Sequence, residues 1–227
     1  MFKIYKIFIL LFFISFSLSV EAHIQHYKNL NRIEFDIYRN NKHIGTHIFS
    51  FKKSGNEILV KSVIEFKIKK IGIVLYKYYA EGLETYKDDQ LIKFNSTTDQ
   101  NGKKKYVNMK ISNEEYIIDG SSYKGKAPIE YLIGTWWNHS MVDAKAQISA
   151  VSGRIIRQKV TFLGKETIKL GEKSYNTLHF NFSSTDEKLS KEKKLNTDVW
   201  YDEETLNWVK ASFNKKGKWE YQLVLIE

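Results

Sequence analysis

The chain reads as a mainly β protein, an antiparallel meandering barrel or roll with one short helix packed on it. Three observations predict this. The dominant hydrophobic period is two, short polar breakers separate the alternating runs, and one segment after the only proline changes to helical spacing.

The alternation is plainest where Val60, Ser62, Ile64, Phe66 and Ile68 share one face while Lys61, Val63, Glu65, Lys67 and Lys69 share the other. A strand packed on one side needs that pattern, because successive side chains point to opposite faces. Similar runs cover 33–39, 44–53, 73–86, 91–98, 104–111, 116–119, 155–163, 167–170, 175–183, 197–202, 206–213 and 219–226. Breakers such as Asn40-Asn41-Lys42, Ser54-Gly55-Asn56, Asp99-Gln100-Asn101-Gly102, Gly171-Glu172-Lys173 and Asn214-Lys215-Lys216-Gly217 lie between them. Connections this short join antiparallel neighbours, since a parallel crossover takes a dozen residues or more. The lysine-rich stretch 187–194 reads as a longer solvated hairpin loop. A meander of so many strands protects its edges by curling into a closed or nearly closed barrel; a two-sheet sandwich is the alternative.

The helical exception follows Pro128. Ile129, Leu132, Ile133 and Trp136 fall at i, i+3, i+4 and i+7, and proline with Glu130 suits a first turn, so the spacing predicts a short helix over 128–138 plugging one end or face of the sheet.

Residues 1–22 read as a signal peptide. Lys3 and Lys6 precede an apolar run of 14 residues from Ile7 to Val20, and Val20-Glu21-Ala22 gives a small-residue cleavage site. The run is shorter than the roughly 20 residues a spanning helix needs, so no transmembrane anchor is expected after cleavage. The mature chain, 23–227, is 227 − 22 = 205 residues. That length fits a single β-barrel-like domain, expected to be a periplasmic or secreted monomer of a Gram-negative bacterium. With no cysteine the fold holds by packing alone.

The formal charge of +10 invites a nucleic-acid reading, but the cations are overwhelmingly lysine, with arginine only at 32, 39, 154 and 157. Base and phosphate readers favour the bidentate guanidinium, so no nucleic-acid partner is expected, and the lysines read as the wet faces of strands. No cofactor is expected. His23 would be the mature N-terminus, where an amino group and imidazole can chelate copper if His26, His43, His47, His139 or His179 approaches, but no disulfide and no axial-ligand pattern accompany it. His43 and His47 on a strand would stand about 13 Å apart, too far to share one ion, so no metal site is expected. The acid pairs Asp88-Asp89, Glu114-Glu115 and Asp202-Glu203-Glu204 fall in turns, and no nucleophile elbow or phosphate loop is present, so no catalytic residue is assigned.

Aromatics are the distinctive feature. Tyr76, Tyr78, Ala80 and Gly82 share one strand face, and Ile73, Leu75, Lys77 and Tyr79 the other. Large rings fill barrel cores, but they also line cavities for apolar ligands. Tyr76, Tyr79, Trp136, Trp137, Trp200 and Trp208 are the candidate ligand-binding residues.

The C-terminal segment Asp198-Val199-Trp200-Tyr201-Asp202, followed by 206–213 and Gly217, resembles the ending of exported proteobacterial domain-of-unknown-function families of about 200 β-rich residues. The stretch from Ser152-Gly153-Arg154 to Phe162-Leu163-Gly164-Lys165-Glu166 is similar to their Gly-bounded hairpin. A fainter likeness is to periplasmic lipoprotein-carrier half-barrels. These likenesses imply the fold and the compartment but no reaction. The expected function is a non-catalytic binding or envelope-maintenance module whose aromatic-lined interior takes a lipid-like or apolar ligand. The alternative is a solid-cored module that binds an envelope protein or polysaccharide through its surface.

Overall fold

The computed structural model describes residue 27, residues 29–190 and residues 192–227. Residues 1–22, expected to be a signal peptide, lie outside the described residues, as do His23 and His26. The first eight strands are β1 (Arg32–Arg39), β2 (Lys42–Ser54), β3 (Glu57–Lys70), β4 (Ile73–Lys87), β5 (Gln90–Gln100), β6 (Lys103–Ser112), β7 (Glu115–Gly120) and β8 (Lys124–Pro128). The remainder are β9 (Leu132–Ile133), β10 (Ala146–Ile148), β11 (Ile155–Leu170), β12 (Lys173–Ser184), β13 (Asn196–Asp202), β14 (Trp208–Asn214) and β15 (Lys218–Ile226).

All fifteen form one sheet in the order β8-β7-β6-β5-β4-β3-β2-β1-β15-β14-β13-β12-β11-β10-β9. The chain meanders outward from β1 to β8 and returns from β9 to β15, so the two ends of the domain pair at the centre, Ile33 opposite Ile226 and Arg39 opposite Trp219. Residues 129–131 alone link one edge strand to the other. The sheet curls to bring those edges together. Register slips at Glu34/Phe35, Ile37/Tyr38, Ile68/Lys69, Thr85/Tyr86, Phe162/Gly164 and Trp200/Tyr201 supply the bends. The outcome is the barrel-like roll that the alternation predicts.

The helix over 128–138 is not formed. Pro128 closes β8, and Leu132 and Ile133 pair in parallel with Gln147 and Ile148, the sheet's one parallel contact. Gly134 donates to the Ile148 carbonyl, and Trp136 takes a φ of +56°, which no α-helix accommodates. A 3₁₀ turn at His139–Val142, capped by the Asn138 side chain, is the helical feature in this part of the chain. Of the four residues at helical spacing only Ile133 is buried; Trp137, Met141, Ala146 and Ile148 fill the barrel with it, at intervals no helix face sets. The segment is a plug, as expected, but an irregular one. A second correction concerns 155–170, which is one strand running through a bulge at Leu163 rather than a Gly-bounded hairpin.

A single core runs through the roll. Phe35 stacks on Trp208 with centroids 3.9 Å apart, and Trp137 is ringed by Tyr27, Phe51 and Tyr86 at 5.2, 5.3 and 5.8 Å. Gly45 of β2 lies against β3 so closely that a Cβ there would overlap the Glu65 carbonyl and stand 2.6 Å from the Phe66 Cα. The plug is tied in by Glu84 of β4, whose carboxylate accepts from Trp137 Nε1 at 3.0 Å and Thr135 Oγ1 at 3.2 Å and meets the Tyr86 hydroxyl at 2.5 Å. Burial pushes the Glu84 carboxyl up to about 7.

The two-residue hairpin turns in which both residues have positive φ follow one chemistry with one exception. The sequence supplies Asn40-Asn41, Asp88-Asp89, Asn101-Gly102 and Asn113-Glu114. Polar side chains of this kind tolerate the left-handed region. Between β3 and β4 the residues are Ile71-Gly72, with Ile71 at φ +51°. A β-branched side chain there costs about 1–2 kcal/mol.

Candidate binding site

Because strands alternate in direction, the turns at 40–41, 71–72, 101–102 and 215–217 gather at one end of the roll, its mouth. There β1 and β15 bring together residues distant in sequence. Phe66 of β3 stacks on Tyr78 of β4, centroids 4.8 Å and planes 6° apart. Phe66 also meets the edge of Trp219 at 5.2 Å, and Trp219 lies parallel to Phe213. With Ile68, Leu75, Tyr76 and Tyr221 these rings line an open groove of about 660 Å³. That falls in the size range of small-molecule sites, roughly 300–1,000 Å³.

The rim of the groove is cationic. Arg39, Lys215 and Lys216 line it. The Arg39 guanidinium sits 5.7 Å from the Trp219 ring centroid and donates to the Lys216 carbonyl, while its Nε is buried with no acceptor among the described residues. Lys105, half-buried on the same end of β6, has its pKa lowered by desolvation and by the charges of Lys103, Lys215 and Arg154. Those cations therefore share one positive field.

Behind the groove lies a second, smaller chamber of about 250 Å³ between β2–β5 and the plug, lined by residues including His47, Ser62, Phe94, Ser96, Trp136 and Gln147. Tyr78 and Tyr221 line both spaces and form the partition between them. Burial pushes both phenols well above their ordinary pKa. His47 is enclosed by Phe49, Phe35, Trp208 and Tyr221 at 4.1 to 6.4 Å. Neither of its ring nitrogens has a hydrogen-bond partner among the described residues, and desolvation lowers its pKa to about 3. It is a neutral histidine.

Of the six aromatics singled out from sequence, Tyr76 lines the groove and Trp136 the inner chamber. Trp137 and Trp208 are fully buried in the core, Trp137 with its N–H on Glu84 and Trp208 packed between Phe35 and Trp136. Tyr79 is on the outer face, 41% exposed, donating to Glu81 at 2.9 Å. Trp200 points away from the groove but is buried, 8% exposed, stacked on His179 at 4.1 Å, bonded to Glu166 at 2.7 Å and covered by Lys210. The structure thus does not gather the six into one site. Phe66, Tyr78, Phe213, Trp219 and Tyr221, which do meet, include residues from both ends of the chain; their signal was inward parity on strands, but their meeting depends on the β1–β15 pairing. Glu84 was readable by the same parity, since it continues the face of Tyr78, Ala80 and Gly82.

The acid pairs lie in or beside turns at the far end. A bulge at Ile44 turns His43 outward to Asp36, 3.0 Å away, while His47 points in. Among the described residues no group of three or more histidine or acidic side chains is arranged to hold a metal ion, and no helix is long and apolar enough to cross a membrane.

These features define a plugged, meandering β-barrel-like domain with an aromatic groove at a basic mouth. The chain belongs to the family described as domain of unknown function (DUF6134), whose model matches residues 35–224. Its fold is similar to that of a β-barrel-like protein of domain of unknown function DUF1849 from Brucella abortus, with a TM-score of 0.60 at 8% sequence identity over 87% of this chain and 97% of that one. No curated protein matches the sequence.

Proposed function

We propose that residues 1–22 are a leader that directs the domain to the bacterial envelope, and that the domain is a non-catalytic binding module that holds an anionic amphiphile in the mouth groove. One observation carries the reading: a groove of about 660 Å³ is walled by Phe66, Tyr78, Phe213 and Trp219 and rimmed by Arg39, Lys215 and Lys216. Aromatic walls bind an apolar chain by burying its surface, at about 25 cal/mol per Å². Cations at the rim orient a carboxylate or phosphate head, and guanidinium suits both. The alternative of a surface module gains little support, because Trp200 is covered and outward Tyr79 is engaged with Glu81.

Titration with an environment-sensitive fluorescent fatty acid tests this. Wild type should bind saturably, Tyr78→Ser and Trp219→Ser should weaken binding about tenfold or more, and Trp200→Ser should not. Equal affinity in all four proteins would remove the groove as the site.

A further inference from the structure

Beside the groove, the β3–β4 hairpin ends in an apolar tip. Ile71 is 91% exposed, Ile73 66% and Leu75 55%, with Val74 at 38%. Scattered exposed apolar residues need no explanation, but this is a contiguous run at the end of the longest hairpin. The run also contains the one tight positive-φ turn whose first residue is Ile rather than Asn or Asp. Neither burial nor turn geometry accounts for Ile71; both argue for a polar residue there.

Charge identifies what the tip meets. Lys69, Lys70 and Lys77 flank it, exposed and with no ion-pair partner among the described residues. Across the mouth stand Arg39, Lys215 and Lys216, and the tight turns at the opposite end carry Asp88-Asp89 and Glu114. The molecule therefore presents a basic end with an apolar point beside its groove. A second copy of the chain would bring these like charges together, and one hairpin tip is far smaller than the roughly 1,200 Å² that a stable protein interface buries. A nucleic acid offers no apolar layer for isoleucine and leucine. An anionic lipid leaflet offers both a hydrocarbon layer and negative headgroups.

We infer that the mouth docks on an anionic membrane surface, with Ile71, Ile73 and Leu75 inserted below the headgroups and Lys69, Lys70 and Lys77 among them. Docked this way, the groove opens toward the leaflet, since Ile68, Leu75 and Tyr76 line it and belong to the same hairpin. The inference rests on the tip and its charges and does not need the groove to hold a ligand.

The test is sedimentation of the protein with vesicles of phosphatidylcholine alone and of phosphatidylcholine mixed with phosphatidylglycerol. Wild type should bind the anionic vesicles, more weakly as salt rises, and the neutral ones at least about tenfold less. Ile71→Asn combined with Ile73→Thr should lose about tenfold or more in vesicle affinity. Ile71→Asn alone should raise the melting temperature, since asparagine suits the left-handed turn. A merely structural role for Ile71 would move stability the other way. Neither residue lines the groove, so fatty-acid affinity measured without vesicles should stay at the wild-type value in both variants. Unchanged vesicle binding by the double variant, equal wild-type binding to neutral vesicles, or tip-dependent self-association without vesicle binding would each overturn the inference. Failure of the fatty-acid titration with vesicle behaviour as expected would sink the groove reading alone.

Discussion

Replacing Glu84 by glutamine should remove one limb of the protein's pH dependence. Glu84 is wholly enclosed, with Tyr86, Trp137 and Thr135 as its hydrogen-bond partners, and desolvation raises its carboxyl from 4.5 to about 7. Above pH 4.5 the unfolded chain releases a proton that the folded chain keeps, so stability falls as pH rises. The contribution is complete below 4.5 and lost once pH passes about 7. At 1.36 kcal/mol per pH unit, that interval corresponds to about 3 kcal/mol. Glutamine keeps an acceptor for Trp137 and Thr135 and a donor for the tyrosine oxygen, but carries no charge to desolvate. Urea denaturation followed by tryptophan fluorescence, run on both proteins from about pH 4.5 to pH 8, reads the difference directly. The variant should be within about 1 kcal/mol of wild type at the acid end and gain about 3 kcal/mol on it by pH 8. A difference that stays flat across the range would refute the burial of an ionisable Glu84 as described.

His47 should govern the acid side. Its pKa falls from 6.5 to about 3, so stability is lost as pH drops from 6.5 towards 3. His47→Phe, packed among the same rings, should abolish that loss, which acid titration by circular dichroism measures. Between 4.5 and 6.5 the two groups oppose each other, and the wild-type profile should be nearly flat there. Gly45→Ala should cost about 3 kcal/mol or more in chemical denaturation, because its Cβ would overlap the β3 backbone. Arg39→Ala with Lys215→Ala should weaken a fluorescent fatty acid about tenfold while leaving the corresponding fatty alcohol nearly unaffected, as titration of both probes would show.

The strands were legible because their alternation is local. The run from Val60 to Ile68 faces inward in the order its sequence implies, and most turns carry the residues their geometry asks for. The plug was not legible. Ile129, Leu132, Ile133 and Trp136 are spaced as on a helix, but a barrel interior needs apolar side chains at irregular intervals, and tertiary pairing of Ile133 with Ile148 overrode the local pattern. The site was legible only in kind. Aromatic excess pointed to a lined space, yet Trp137 and Trp208 went to the core while Arg39, Phe66 and Trp219 met at the mouth. No local signal in a sequence states that the first strand pairs with the last.

The most direct test of the central claim is a crystal structure of the protein with a brominated fatty acid, located by the anomalous scattering of bromine. The bromine is expected between Phe66, Tyr78 and Trp219, with the carboxylate within hydrogen-bonding reach of Arg39 or Lys215. Bromine on the outer face, in the inner chamber alone, or nowhere at saturating ligand would contradict the claim.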